Sequence, residues 1–424
     1  MPVIVIEKIV YPGKSLGRLE GIACLTDEGL PGERVEIEPL KRRPRLVEAR
    51  TVRVVEPSPR RTAPRCAHFR ACSPYQIMDE ELQLEIKKSQ LEEILAEESA
   101  EGLRIDMFPS PRTWNYRTRA RFHVLWTAEG GRPAYNVPGT RDEFVSVDVC
   151  HLPAAPLSDL VAAALRAFPR PAPSLREIEV RVGREAAAPL LIFHWSSPPG
   201  PKDLDPVLTE LLAGPRPAGI VNVFRKKGRD EEVLVWGRDS IEEKVGDSVF
   251  RIGARSFFQV NPAILPAVIA VMADSLRTHR SRRLADIYCG LGLFGVTLAP
   301  LVETVAAVES DAQNIRLLKE NAARNGATGL TICDGPAGDW MGWVLERGVD
   351  AVIFDPPRKG LDPLLVRDML RRPAPLVLYL SCNPATLARD LKMMRPAYRP
   401  VLIKGFDFFP QTPHIETLAV LERK

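Results

Sequence analysis

A single thiol, Cys382, sits in Leu380-Ser381-Cys382-Asn383-Pro384, where the apolar run Leu376 to Leu380 ends and a helix-like segment begins. A cysteine at the carboxyl end of a strand faces a crevice, and a helix N-terminus beside it favours the thiolate, the nucleophilic form. A lone cysteine is ordinarily packing, so its neighbours decide the reading. One is Asp355-Pro356-Pro357, directly after the apolar run Ala351 to Phe354. Ligands of open α/β sheets bind beyond the carboxyl ends of the strands, and two prolines stiffen such a loop. That favours an acid in an active site over a proline-containing turn. Another is Cys289-Gly290-Leu291-Gly292-Leu293-Phe294-Gly295, with Glu309 about 20 residues on, where a ribose-binding acid belongs. Glycines let the backbone turn tightly and approach a ligand. The spacing alone is compatible with a nicotinamide dinucleotide, with S-adenosylmethionine, or with a close helix–strand contact. Glu416, in His414-Ile415-Glu416-Thr417, precedes the terminal run Leu418 to Leu421. It is either a surface acid or a general base.

The elements that must position these groups change in character along the chain. Residues 1–58 alternate β-rich runs with glycine turns, at a spacing that suggests a small barrel. Pro57-Ser58-Pro59 breaks the chain. Residues 59–255 begin with a helix on which Ile77, Leu84, Leu91 and Leu95 share a face, with Glu and Lys opposite. β-like runs follow, interrupted by the proline-rich loops 168–171 and 197–201. From 256 to 424, apolar strands alternate with helices (Leu284 to Tyr288, Val305 to Glu309, Ala351 to Phe354, Leu376 to Leu380). This implies a parallel sheet covered on both faces.

Composition narrows the class. With 45% hydrophobic and 26% charged residues, the chain has ordinary globular proportions. No apolar run is long enough to span a bilayer, and Met1 to Ile9 lacks the apolar core of a signal peptide. The expectation is a cytoplasmic protein with no membrane partner. The net charge of +4 says little, but between Glu38 and Arg65 nine Lys/Arg face three acids. Such a run is either a solvated surface or a phosphate-contacting one. Arg117, Arg119 and Arg121 alternate in a β-like run beside Trp114 and Tyr116. That is equally compatible with a solvated sheet face or a surface that holds phosphates and stacks bases. The seven scattered cysteines point to metal binding or catalysis for some of them rather than disulfides.

Taken together these segments resemble the RNA 5-methyluridine methyltransferases, and the resemblance covers nearly the whole chain. It is carried by Ser256-Phe257-Phe258-Gln259-Val260-Asn261-Pro262, Asp286 to Gly292, Asp355-Pro356-Pro357-Arg358, Ser381-Cys382-Asn383-Pro384 through Asp390, and Phe409 to Glu416. The first 58 residues resemble the TRAM domain, a small RNA-binding barrel. The resemblance implies an α/β fold: a Rossmann-like S-adenosylmethionine-dependent methyltransferase domain over 256–424, preceded by a TRAM/OB-like β-barrel over 1–58 and a central α+β RNA-binding region over 59–255. It implies that Gln259, Tyr288, Glu309 and Asp355 contact S-adenosylmethionine, that Cys382 is the nucleophile and that Glu416 is the base. The implied partner is RNA, with 23S rRNA favoured over tRNA, and the implied state is a monomer. Family members often hold a [4Fe–4S] cluster on four cysteines. Cys66, Cys72 and Cys150 match three of these positions, and Tyr75 occupies the remaining one. A cluster completed by another ligand and a cluster-free fold both remain open.

Three other readings compete. A nicotinamide-dependent oxidoreductase accounts for the glycine loop and Glu309 but gives no role to Cys382 or Glu416. A non-catalytic RNA-binding module accounts for the barrel and arginines only. A methyltransferase acting on exocyclic amines also uses an acid followed by two prolines, but needs no cysteine nucleophile.

Overall fold

Ile4, Ile6, Val35, Ile37 and Val47 are buried while the residues between them are exposed or half-buried, the period-two pattern of strands that line a closed interior. The computed structural model describes residues 1–98, 103–154, 157–169, 171–183, 188–200, 204–214, 216–226 and 229–424. Strands β1 (Val3–Val10), β2 (Lys14–Leu19), β3 (Ile22–Thr26), β4 (Arg34–Arg43) and β5 (Leu46–Glu56) close into a barrel in the order β1-β2-β3-β5-β4.

The middle of the chain divides between two sheets. After a short helix, Phe69–Cys72, the helix Glu80–Ile94 is capped by Asp79, which accepts from the Leu82 amide. It leads to β6 (Ile105–Phe108), which pairs in parallel with a strand near the C-terminus. The part of 59–255 that ends at β6 therefore packs with the C-terminal sheet. The rest forms a separate sheet: β7 (Arg119–Thr127), β8 (Gly130–Asn136), β9 (Phe144–Ser146), β10 (Leu175–Arg181), β11 (Leu190–Trp195), β12 (Gly219–Lys226) and β13 (Arg229–Gly237), in the order β13-β12-β11-β10-β7-β8-β9. The hairpin β14 (Ser240–Val245) and β15 (Ser248–Gly253) follows. Of the two proline-rich loops, Arg170 and Pro201 lie outside the described residues.

The helix Glu80–Ile94 departs from the expected amphipathic pattern. Its buried residues include Gln83, Lys87 and Gln90 beside Leu82, Ile86 and Leu91. Gln83, Lys87 and Gln90 each donate to a partner, as burial demands, while Gln90 Oε1 has none. The Lys87 Nζ donates to Asp407 at 2.6 Å and to the Phe409 carbonyl at 3.0 Å. Gln83 donates to Gln411 Oε1 at 3.0 Å, and Gln90 to the Ile9 carbonyl at 2.9 Å. One helix thereby fastens the barrel to the C-terminal part of the chain.

The C-terminal sheet contains β16 (Arg283–Ile287), β17 (Thr304–Glu309), β18 (Leu330–Asp334), β19 (Ala351–Phe354), β20 (Leu376–Ser381), β21 (Tyr398–Phe406) and β22 (Glu416–Arg423). Its order is β18-β17-β16-β19-β20-β22-β21-β6. The first five strands are mutually parallel, and β22 runs antiparallel to both neighbours. Val352, Ile353, Phe354 and Leu376 to Leu380 are fully buried, as strands covered on both faces require. The antiparallel β22, inserted between β20 and β21, departs from the all-parallel order of dinucleotide-binding sheets. It gives the Rossmann-like methyltransferase fold. Among the described residues, no helix is long and apolar enough to cross a membrane.

Candidate active site

Strand register builds the site. Ile287 of β16 pairs with Val308 of β17 on one side and Phe354 of β19 on the other. The next residue on each strand is Tyr288, Glu309 and Asp355, so the three emerge together at the carboxyl edge. On the adjoining pair, Ser381 of β20 faces Thr417 of β22. Continuing that register by one residue sets Cys382 opposite Glu416. All five, with Gln259, line one cavity of about 580 Å³, within the size range of small-molecule sites. A more open groove of about 680 Å³ lies between Trp236, Arg238 and Lys244, but it gathers none of these groups.

The glycine loop is shaped for close approach. Gly290 and Gly292 have φ of +57° and +96°, where glycine alone is comfortable. A Cβ on Gly292 would stand 2.5 Å from Leu318 Cδ1, and one on Gly295 2.9 Å from Asp286 Oδ2. Tyr288 also takes a positive φ, +66°, a strained position for a bulky residue that concentrates at functional sites. Glu309 is held by backbone amides. Its Oε2 accepts from Gly290 at 3.0 Å and its Oε1 from Ser310 and Asp311 at 2.7 Å each. Gln259 Nε2 stands 3.5 Å from Asp355 Oδ2.

Burial dominates the electrostatics. It pushes the Asp355 carboxyl up to about 7, with Asp286 adding to the effect and Gln259 opposing it. Glu416 is buried, its Oε2 has no hydrogen-bond partner, and its pKa lies well above the carboxylate range, through burial and then Asp355. The Cys382 thiol is pushed up to about 11 by burial, then by Glu416 and Asp355, against a lowering influence from Arg358. The helix Pro384–Met394 does begin just after Cys382, with Asn383 as its cap. Contrary to the sequence expectation, that helix end does not prevail, because burial of the thiol, and after it the two carboxylates of the same crevice, outweigh it.

Sequence reasoning missed some of the lining. Phe257 is 59% exposed and borders the cavity with Asn314. Tyr11, from the barrel, feels the charges of Arg358, Cys382 and Glu416. No sequence signal could place it there, since its approach depends on how the barrel seats. That seating is tight: a Cβ on Gly13 would stand 2.8 Å from Pro413 Cβ.

The basic stretches are largely spoken for. Arg42, Arg50, Arg53, Arg60 and Arg61 pair with Glu20, Glu38, Glu36, Asp79 and Glu33. Lys41 and Arg45 are exposed and have no carboxylate partner among the described residues. Arg117, Arg119 and Arg121 share the less buried face of their run, between the buried Thr118 and Ala120. Arg117 Nε donates to the buried Tyr116 hydroxyl at 3.2 Å, and Arg119 and Arg121 pair with Glu179 and Glu177. Cross-strand acids on β10 thus pair with two of the three arginines. Trp114 is covered by Arg65, whose Cζ lies 4.1 Å from the ring centroid.

The three cysteines matched to cluster positions come from two separate segments. Cys66 precedes the short helix Phe69–Cys72, Cys72 is its last residue, and Cys150 follows β9 of the seven-stranded sheet. Tyr75 is buried and turned to other partners. Its hydroxyl accepts from Gln90 at 3.2 Å, and its ring lies 5.9 Å from the Lys87 Nζ. A fourth thiolate for a [4Fe–4S] cluster is thus absent at the expected position, and the residue there faces elsewhere.

A glycine loop after the first strand, acids at the next two strand ends and an antiparallel last strand define an S-adenosylmethionine-dependent methyltransferase. The methyltransferase small-domain profile matches residues 268–374, and that of tRNA (uracil-5-)-methyltransferase matches residues 344–424. An uncharacterized RNA methyltransferase of Halalkalibacterium halodurans is 30% identical over 447 residues, covering 99% of this chain and 96% of that one. One of Listeria innocua is 28% identical, covering 99% and 97%. The crystal structure of Pyrococcus abyssi tRNA (uracil-54, C5)-methyltransferase with S-adenosyl-L-homocysteine superposes with a TM-score of 0.76 at 25% identity, covering 98% of this chain and 99% of that one. The chain belongs to the RNA uracil-5-methyltransferase family, whose members methylate carbon 5 of uracil through a cysteine adduct with S-adenosylmethionine as donor. The competing oxidoreductase, amine-methylating and non-catalytic readings fall away.

Proposed function

We propose that Cys382 is the nucleophile and Glu416 the base of this reaction, and that Gln259, Tyr288, Glu309 and Asp355 hold the methyl donor. The single observation that supports this is the cavity shared by all six at one sheet edge. Bound S-adenosylmethionine supplies an electrophilic methyl on a sulfonium. Glu309, fixed by three amides, suits a ribose diol. Asp355 suits the cationic end of the donor once it is ionised. Carbon 5 of uracil is a poor nucleophile. The Cys382 thiolate adds to carbon 6, and the resulting enolate lets carbon 5 take the methyl. Glu416 then removes the proton at carbon 5, and elimination returns the thiolate. A carboxylate with a raised pKa is a stronger base when ionised, which fits this last step. The target base must be unstacked to enter such a pocket.

Three functional units follow from this reading: 1–58 as an RNA-binding barrel, 59–255 as RNA-binding and docking elements, and 256–424 as the catalytic part. The proposed substrate is 23S rRNA, on the family resemblance with its barrel. A second reading, tRNA, is favoured by the whole-chain likeness to the Pyrococcus tRNA uridine-54 enzyme. Mapping 5-methyluridine in both RNA pools of a deletion strain separates them.

The mechanism is tested by two variants that fail differently. Cys382→Ala should give no adduct and lose at least about 10³-fold in methylation. Glu416→Gln should stall after methyl transfer, leaving methylated RNA bonded to protein as a slow band on a denaturing gel. Appreciable methylation by Cys382→Ala would remove the covalent mechanism.

A further inference from the structure

The side chains that follow Cys382 as far as Asp390 take no part in the chemistry above. They lie on the helix Pro384–Met394 and on its cap, Asn383. Asn383, Thr386 and Asp390 are spaced to share one helix face, and that face meets the loop after Asp355. Asn383 Nδ2 donates to the Arg358 carbonyl at 3.1 Å. The Thr386 hydroxyl donates to the same carbonyl at 3.3 Å, a bond it shares with the Asn383 carbonyl. Arg389 donates to the Lys359 carbonyl at 2.9 Å, and the Leu361 amide donates to Asp390 Oδ2 at 2.8 Å. Backbone groups of Arg358, Lys359 and Leu361 are thus all held by one helix.

Asp390 is the centre of this clamp. It is fully buried, which a carboxylate tolerates only when its oxygens are occupied. Its Oδ2 also accepts from the buried Tyr379 hydroxyl at 2.6 Å, and its Oδ1 accepts from Arg389 Nε at 2.8 Å. Tyr379 belongs to β20, the strand that delivers Cys382. The fit is close. Gly360 has a φ of +77°, and a Cβ on it would stand 2.5 Å from Asp390 Oδ2 and 2.6 Å from an Arg389 nitrogen. Loops ordinarily leave their backbone to solvent, whereas this one is bound at residue after residue. The side chain it presents, Arg358, lines the cavity that holds Cys382.

We propose that Thr386, Arg389 and Asp390 are positioning residues for the methyl transfer: through the loop backbone they hold Arg358 in the cavity beside Cys382, so that the nucleophile and its cation form one rigid unit. The proposal rests on the reading of Cys382 as the nucleophile. A fixed cation near a sulfur favours the thiolate. Burial keeps this thiol protonated, Glu416 from β22 and Asp355 from β19 add to that, and Arg358 is the cation that opposes them. Tyr11, from the barrel, also feels the thiol and brings no positive charge. A loop free to drift would therefore weaken the influence that favours ionisation. The helix that begins at the nucleophile also fixes the cation, which keeps their separation constant when RNA enters.

Iodoacetamide labelling of Cys382 in the full, RNA-free chain tests this without relying on methylation. Arg389→Met removes the bond to Lys359 and the partner of Asp390, and Thr386→Val removes a bond to Arg358. A rise of about one pH unit in the thiol midpoint, less the gain in nucleophilicity, slows labelling at pH 9 about threefold. That slowing is expected in Arg389→Met and, to a smaller extent, in Thr386→Val. Arg389→Lys, which can still donate to the Lys359 carbonyl, should keep most of the rate. The decisive arm is the double variant. If the clamp acts through Arg358, adding Arg389→Met to Arg358→Gln should slow labelling no further, whereas a merely structural role predicts that the two losses multiply. Circular dichroism confirms the fold of each variant, and Thr386→Val, the milder change, carries the test if Arg389→Met does not fold. Unchanged labelling in folded Arg389→Met and Thr386→Val, or multiplied losses in the double variant, would overturn the proposal. Methylation by Cys382→Ala would instead remove the reading of the nucleophile, and leaves the labelling result standing.

Discussion

The resting Cys382 thiol should be protonated and unusually slow to alkylate. With its pKa pushed up to about 11, the thiolate fraction at pH 8 is about 10⁻³, against about a quarter for an ordinary thiol near 8.5. A more basic thiolate is a better nucleophile, with a Brønsted slope of about 0.4–0.5, which returns roughly a tenfold gain. The net expectation is a rate at pH 8 some 20-fold below that of a free thiol. The rate should climb about tenfold per pH unit, with no plateau below about pH 10. The assay is iodoacetamide labelling of the RNA-free enzyme, read by mass spectrometry of the peptide that carries Cys382. Two variants set the sign. Arg358→Gln removes the cation that lowers the thiol and should move the midpoint up. Glu416→Gln removes a carboxylate that raises it and should move the midpoint down. A plateau at or below pH 8.5 in the wild type, or shifts of the opposite sign, would refute the electrostatic account. Thiolate formation must then be coupled to substrate binding, when RNA fills the crevice and changes its solvation.

Two further outcomes follow from packing. Gly292→Ala forces a Cβ into contact with Leu318 and Val296 at a positive φ. Strain of about 1–2 kcal/mol and overpacking of about 1–3 kcal/mol should appear as a lower urea midpoint and weaker S-adenosylmethionine binding by calorimetry; unchanged values would show that the loop is not tightly shaped. Lys87→Met leaves Asp407 buried and unpaired and should cost about 3–5 kcal/mol in urea unfolding, and adding Asp407→Leu should recover most of it if the pair, rather than helix packing, sets the loss.

Much of the catalytic half was legible in the sequence because its signals are local. A fully apolar strand that ends in a glycine loop, an acid or a cysteine announces both the sheet and its functional edge. Gln259, Tyr288, Glu309, Asp355, Cys382 and Glu416 were all named from such spacing and the family resemblance, and one cavity gathers them. The barrel was legible for the same reason, through its alternation and turns. Other features depended on what a residue meets across the fold. Lys87 was expected to face water, yet it is buried because Asp407, 320 positions away, supplies its partner. Arg119 and Arg121 alternate on one face as read, but their partners Glu179 and Glu177 are supplied by β10, a strand nearly 60 positions on. The Cys382 helix end promised a thiolate, but burial, and then two carboxylates from other strands, outweigh it. Tyr11 had no local signal at all: it comes near the charges of Arg358, Cys382 and Glu416 from the barrel. The sequence by itself determined which groups could do chemistry and which strands carry them, because periodicity and turn chemistry act between near neighbours. Only the tertiary structure decided which charges are neutralised, buried or left unpartnered, because these energies depend on distance in space and on exclusion of water.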